Sequence, residues 1–251
     1  MDTRYWGPSG WRLLHLISFS HLPKRKDIDA FFNTIPYILP CKYCRHSFSE
    51  NITKDPVETS DSIPRWLWKM HNRVNAKLRE QRLCRIVEDP TFQSVKHIYE
   101  ERMKAGCTRT HFEGWEFLFS IAEAHPLGRQ GKFTVPIQGH PALETLTDPL
   151  ERNRWNVMTP EERLKHYNEF WRLLPSVLPF AEWSAGWKEG LPTTRKGLIK
   201  HLYSIRCGLE SDLELLNRTT YNSLCKELQT HRSGCATSAR GKTCRKKRRA
   251  T

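Results

Sequence analysis

Apolar side chains recur every three to four positions along most of this chain, the period of a helix buried on one face. In GWRLLHLISFSHL, Trp11, Leu14, His15 and Ser18 share one face. Asp27 precedes IDAFFNTIPYIL, where Phe31, Phe32, Ile35, Ile38 and Leu39 make a second stripe. Pro40 interrupts that stripe, and CKYCRHSF opens a new segment. PRWLWKMHNRVNAKLREQ reads as a long amphipathic helix with Pro64 in its first turn and no Gly or Pro inside. No alternating strand pattern stands out over the first hundred residues.

From His125 to Pro149 the pattern lapses into a Pro- and Gly-rich stretch that reads as a long loop. TPEE then starts another helix, with Thr159 as cap, Pro160 at its first position and Glu162 closing a capping box. RLKHYNEFWRLL continues it, and TTRKGLIKHLYSIRCGLESDLELLN reads as helical again. From about Thr230 the chain turns polar, small and basic. The expected fold class is all-α.

Composition sharpens this picture. The longest apolar runs, around LLHLISF and FLFSIA, are far short of a membrane span. MDTRYWGPSG has no basic region followed by an apolar run, so no signal peptide is expected and the setting expected is cytoplasmic. Eight cysteines in that setting point to catalysis or metal binding before structural bridges. The formal charge is +14, and the last twelve residues carry seven cations and no acid. Half of the net charge is therefore concentrated in one segment. It reads as a disordered tail, with weak contact to a polyanion as its sharper use.

Cys41 and Cys44 form the one Cys-x-x-Cys of the sequence. Structural zinc needs a second ligand pair, and none follows at finger spacing. A c-type haem needs His directly after the pair, where Arg45 stands. A thioredoxin-like site needs a βαβ context, and these flanks are helical. Placed after Pro40 at a helix start, a thiol feels the positive end of the helix dipole, and Lys42 and Arg45 add charge; a lowered thiol pKa is expected. Such a pair forms an exchangeable disulfide but needs an electron acceptor.

WGPSGWRLLH (Trp6 to His15), LPCKYCRHSF (Leu39 to Phe48) and RWLWKMHNRVNAKL (Arg65 to Leu78) together resemble the Erv/ALR family of FAD-linked sulfhydryl oxidases, most of all members from large cytoplasmic DNA viruses. The resemblance implies a four-helix bundle with a short fifth helix, holding FAD, in residues 1–104. It makes Cys44 the flavin-proximal thiol and Cys41 the interchange thiol, with protein dithiols and molecular oxygen as partners. Trp11 and His15 then line the adenine. Gly7 and Arg4 match a loop beside the cofactor. His71, Asn72, Val74 and Asn75 match the helix along the adenosine half, and Lys77 and Arg79 are expected at the pyrophosphate. His71 and Asn75, four apart, share a helix face. Trp68 stands where many members carry a cysteine of a structural disulfide, so that bridge is expected to be absent, leaving Cys84 and Cys107 unassigned. Candidate shuttle cysteines are Cys207, Cys225, Cys235 and Cys244.

The remainder echoes the beginning. Gly10 to Pro23 resembles Gly114 to Pro126, and Phe31 to Cys44 resembles Phe170 to Trp183, with prolines in register. LIKHLYSIRCGL loosely echoes LWKMHNRVNAKL. In the echo His15 becomes Phe119, and Cys41 and Cys44 become Phe180 and Trp183. Residues 105–229 are thus expected to be a degenerate helical bundle without cofactor, its three aromatics filling the space of a flavin. Residues 230–251 are expected to be the tail. Pairing is expected either as a homodimer or as a pseudo-dimer within one chain. The reading is an FAD-dependent thiol oxidase yielding hydrogen peroxide. Its rival is a non-enzymatic helical adaptor with a structural disulfide and a polyanion-binding tail.

Overall fold

The computed structural model describes residues 1–20, 24–83, 88–106, 112–128, 135–184, 186–187, 192–212 and 219–232. Among them the regular elements are all helical. The first half holds α1 (Thr3–Phe19), α2 (Arg25–Ile38), α3 (Lys42–Lys54), α4 (Ile63–Glu80) and α5 (Phe92–Ala105). The second holds α6 (Trp115–Glu123), α7 (Pro149–Arg154), α8 (Pro160–Val177), α9 (Ala181–Ser184), α10 (Arg195–Asp212) and α11 (Tyr221–Arg232). None of these helices is long and apolar enough to cross a membrane.

The expected starts are present. Ser62 caps α4 with Pro64 in its first turn, and Thr159 and Glu162 form the reciprocal capping box of α8. Three expectations shift. Asp27 lies inside the first turn of α2. The fifth helix is not short, since α5 has 14 residues against 13 in α3. Among its described residues the stretch before Pro149 is irregular apart from two short 3-10 turns, but Pro149 itself opens α7, capped by Asp148. The tail expected from residue 230 is helical at its start, since α11 runs to Arg232; the rest of it, with Cys235 and Cys244, lies outside the described residues, as do Cys84 and Cys107.

A single apolar cluster joins both halves, running from Trp6 to Leu228. α2 lies along α8, with Phe31 stacked on Phe170 at 5.3 Å between ring centres. α1 crosses α6 through a reciprocal contact. A Cβ on Gly10 would come within 2.9 Å of the Phe117 ring, and one on Gly114 within 2.7 Å of Leu13. Only glycine permits this approach, and Gly114 also has φ +137°. Within each half, α1 packs on α4 and α6 on α10.

The ends of α2 and α8 match closely. Each carries an interior proline, Pro36 or Pro175, two residues before its end. Each is closed by an extended leucine: Leu39 at φ −57°, ψ 131°, and Leu178 at φ −59°, ψ 134°. Pro40 or Pro179 follows. The next helix then begins one residue beyond Cys41 in one case and Phe180 in the other. Phe119, Phe180 and Trp183 are all buried, Phe180 and Trp183 in edge contact at 4.8 Å.

Candidate active site and cofactor cradle

The elbow between α2 and α3 presents the cysteine pair. Cys41 is the N-cap of α3 and buried; Cys44, one turn on, is partly exposed. Both are thiols here. The helix start is as expected, but the lowered pKa is not found at Cys44. Its hydrogen bond with Cys41, then burial, hold its pKa well above the ordinary thiol range, against the opposing pull of Arg45 and Lys77. In a reduced pair each thiol takes up the other's proton-bonding capacity, which outweighs the dipole.

Arg45 is fixed rigidly. It is buried, and its guanidinium donates to Leu39 O at 2.9 Å and to Asn156 Oδ1 at 2.6 Å. Arg163 donates to the same Asn156 oxygen at 3.3 Å. Asn156 has φ +60°, and its amide donates to Val135 O. The second half thus anchors the cation next to the cysteine pair. Lys77 of α4 donates to Ser47 Oγ of α3 and stands close enough to Cys44 to favour its thiolate.

Farther along α4 lies an aromatic and imidazole cluster. Trp11 of α1 stacks on His71 at 4.0 Å and 9°. His15 Nε2 and His71 Nδ1 share a hydrogen bond of 3.2 Å. Tyr99 of α5 stacks between His15 and Phe19. Burial, then the charge of its neighbour His71, pull His15 down to about 3; burial pulls His71 down to about 4, opposed by Asp89. Both rings are therefore neutral at neutral pH. His15 Nδ1 is buried and has no hydrogen-bond partner.

Asn75, the other member of the His71 face, is buried and donates to Asp89 at 3.1 Å. Arg79 forms a bidentate pair with Asp89 at 2.7–2.8 Å, so its guanidinium serves that link and not the expected pyrophosphate. Asn72 and Val74 are partly exposed on α4. Arg4 and Gly7 were expected in a loop but lie inside α1, three and four residues apart in series with Trp11 and His15. Asp2 caps this helix and holds the exposed Arg4 side chain at 2.7 Å. Nothing lies within 4 Å of where a Gly7 Cβ would stand, so the backbone there is approachable.

These residues fit a flavin nucleotide. A neutral stacked platform, an unpartnered buried imidazole nitrogen and an approachable helix backbone lie on α1, facing α4. Along α4, Lys77 is roughly 9 Å from His71, which brings the cysteine pair within the span of one extended cofactor. A profile of the Erv1/Alr family matches residues 8–100. A FAD-linked sulfhydryl oxidase of African swine fever virus is 34% identical over 105 residues, covering 39% of this chain and 82% of that protein. The chain belongs to the Erv1/Alr family. The mitochondrial FAD-linked sulfhydryl oxidase of Saccharomyces cerevisiae is 33% identical over 86 residues, 32% of this chain and 46% of the relative. A probable FAD-linked sulfhydryl oxidase of Acanthamoeba polyphaga mimivirus is 27% identical over 85 residues, 30% of this chain and 59% of the relative. No solved structure matches at comparable stringency.

Several participants escaped the sequence reading. Tyr99 was signalled by the helical series Val95, Tyr99, Met103. Asp89, Asn156 and Arg163 carried no local signal, because their partners lie 7 to 111 positions away. Trp68, in the place of the expected cysteine, donates to Pro90 O at 2.8 Å and packs its edge on Phe92, tying α4 to the start of α5. Cys207 on α10 is exposed and Cys225 on α11 partly so, both as thiols.

Proposed function

We propose that this Erv1/Alr protein is an FAD-linked sulfhydryl oxidase that forms disulfides in protein dithiols. The observation that carries the reading is the joint placement along α4 of the Trp11–His71–His15 platform and the Cys41–Cys44 pair beside Lys77. Trp11, His15, His71 and Asn72 would hold the adenosine end of FAD, with Gly7 and Val74 at its edge. Asn75 acts one step back, fixing the Asp89–Arg79 link that braces this face.

In the oxidised enzyme a substrate thiolate attacks Cys41 Sγ, the Cys41–Cys44 bond breaks, and Cys44 leaves as thiolate. The second substrate thiol then displaces Cys41, so the substrate gains a disulfide and the pair gains two electrons. Arg45 and Lys77 favour the thiolate of Cys44 at this stage. When bound, FAD would supply the acceptor for those two electrons, with molecular oxygen as the final acceptor and hydrogen peroxide as the product. The setting proposed is cytoplasmic, where cysteine pairs serve catalysis before structural bridging. The seven cations near the chain's end suit weak polyanion contact, read out as salt-sensitive binding.

Residues 105–229 are read as a degenerate copy that pairs with residues 1–104 as a pseudo-dimer. About a two-fold axis, a residue meets its own counterpart or swaps partners reciprocally. Phe31 meets its counterpart Phe170, and Gly10–Phe117 mirrors Gly114–Leu13. The α1–α2 face is thereby covered within one chain. The test is direct: the purified protein should be yellow with one flavin per chain, consume oxygen with a dithiol, release peroxide, and elute as a monomer. A colourless protein with a permanent Cys41–Cys44 bridge overturns the oxidase. Two flavins per chain overturn the degenerate copy.

A further inference from the structure

A cavity of about 20 Å³ lies behind the α2–α3 elbow, lined by Leu39, Arg45 and Tyr37 from the first half and by His125, Arg163 and Tyr167 from the second. Its chemistry is unbalanced. Arg45 and Arg163 are 4% and 8% exposed, and both converge on one neutral acceptor, Asn156 Oδ1. No acidic residue lines the space, and neither guanidinium has a carboxylate at ion-pair distance among the described residues. The Nε of each arginine is buried and makes no hydrogen bond. Two buried cations with one shared amide oxygen leave positive charge uncompensated, a costly arrangement inside a protein.

We propose that this cavity binds one small monovalent inorganic anion of the halide class between Arg45 and Arg163. The space, about 20 Å³, is enough for one small ion. Charge selects an anion over water, since water adds no counter-charge. His125 contributes a third donor. Its Nδ1 accepts from Leu127 N–H at 3.2 Å, which places the ring proton on Nε2. The other groups facing Arg163 agree: burial, then repulsion from Arg45, lower its pKa to about 8, opposed only by Glu162, which is engaged by Arg152 and the α8 cap. A bound anion relieves both effects. Arg45 also neighbours the cysteine pair, whose thiolates would favour its charge, but Arg163 and His125 take no part in the thiol chemistry, and the readouts below need neither flavin nor turnover.

Thermal unfolding of the purified full chain tests the proposal, with chloride exchanged for gluconate at fixed ionic strength and pH 7. The melting temperature should climb with the logarithm of one plus the ratio of chloride to the dissociation constant, by about 3–5 °C at ten times that constant. Arg163→Met should abolish that dependence. Crystals grown in bromide give a second readout that does not rely on the variant folding: anomalous density should lie between the two guanidiniums. Equal melting in chloride and gluconate, or bromide density only elsewhere, overturns the site.

Discussion

The elbow between α2 and α3 and the elbow between α8 and α9 are built alike and do opposite work. Both follow a helix with a proline two residues from its end, both turn on an extended leucine, and both restart at the same place. At the first elbow stand two sulfurs, one of them partly exposed; at the second stand Phe180 and Trp183, both buried. The backbone device is therefore separable from the chemistry it carries. Prolines and helix ends set where the turn falls, while two side chains decide whether it presents a reactive pair or fills a core.

Exchanging side chains at the two elbows puts this contrast at risk. Cys44→Ser should reduce dithiol-dependent oxygen uptake to background while leaving bound flavin intact, because the thiol carries electrons and contributes little to cofactor affinity. Residual turnover in that variant would remove Cys44 from its role. Trp183→Ala at the matching position should instead cost about 3–5 kcal/mol in urea unfolding, with the activity per folded molecule unchanged. If that variant unfolds like the parent, the second elbow is not a packing device.

The next contrast is His15 against Phe119. In the folded state His15 and His71 sit near 3 and 4, below the ordinary 6.5. The unfolded chain therefore binds more protons as pH falls. Stability present above 6.5 is lost progressively as pH falls toward 3, on the order of 3 kcal/mol for His15 by pH 4. His15→Phe, the residue its counterpart already is, should flatten this acid limb in thermal melts taken from pH 7 to 4, and should weaken flavin retention. An acid limb identical to the parent's would mean that His15 is not held neutral. The smallest effect is expected at Asn156. Asn156→Gly preserves the φ of +60° but leaves the Arg45 and Arg163 guanidiniums short of an acceptor, costing about 1–3 kcal/mol. A cost confined to the second half, with Cys44 titrating as before, would uncouple Asn156 from the cysteine pair.

The sequence disclosed what local chemistry demands. Cys41, Cys44, His15 and His71 were visible because sulfur pairs and imidazoles on helix faces are hard to explain as packing, and the capping box of α8 because caps are short-range. The short α7 was missed although Asp148 before Pro149 is a start signal in its own right, because the surrounding Pro- and Gly-rich stretch reads as loop. What else stayed hidden is long-range. Nothing within ten residues of Asn156 or Asp89 announces Arg45 or Arg79 as partner, and the Cys44 pKa turned on a contact with its own pair mate that the helix-dipole argument left out. The matched prolines hinted at the echo, but the contact of Phe31 with Phe170 was announced by neither segment alone.

The continuous apolar cluster has a consequence for cooperativity. Phe31 and Phe32, with no exposed surface in the whole chain, lie on the helix that α8 covers. A chain cut at Lys104 would bare Phe31 and its neighbours on that helix, and is expected to lose its fold. Heat should melt the chain in one calorimetric transition, its enthalpy matching that of a single unit and not of two domains. The half without the cysteine pair then governs how long the other half survives, and damage to either is felt by both.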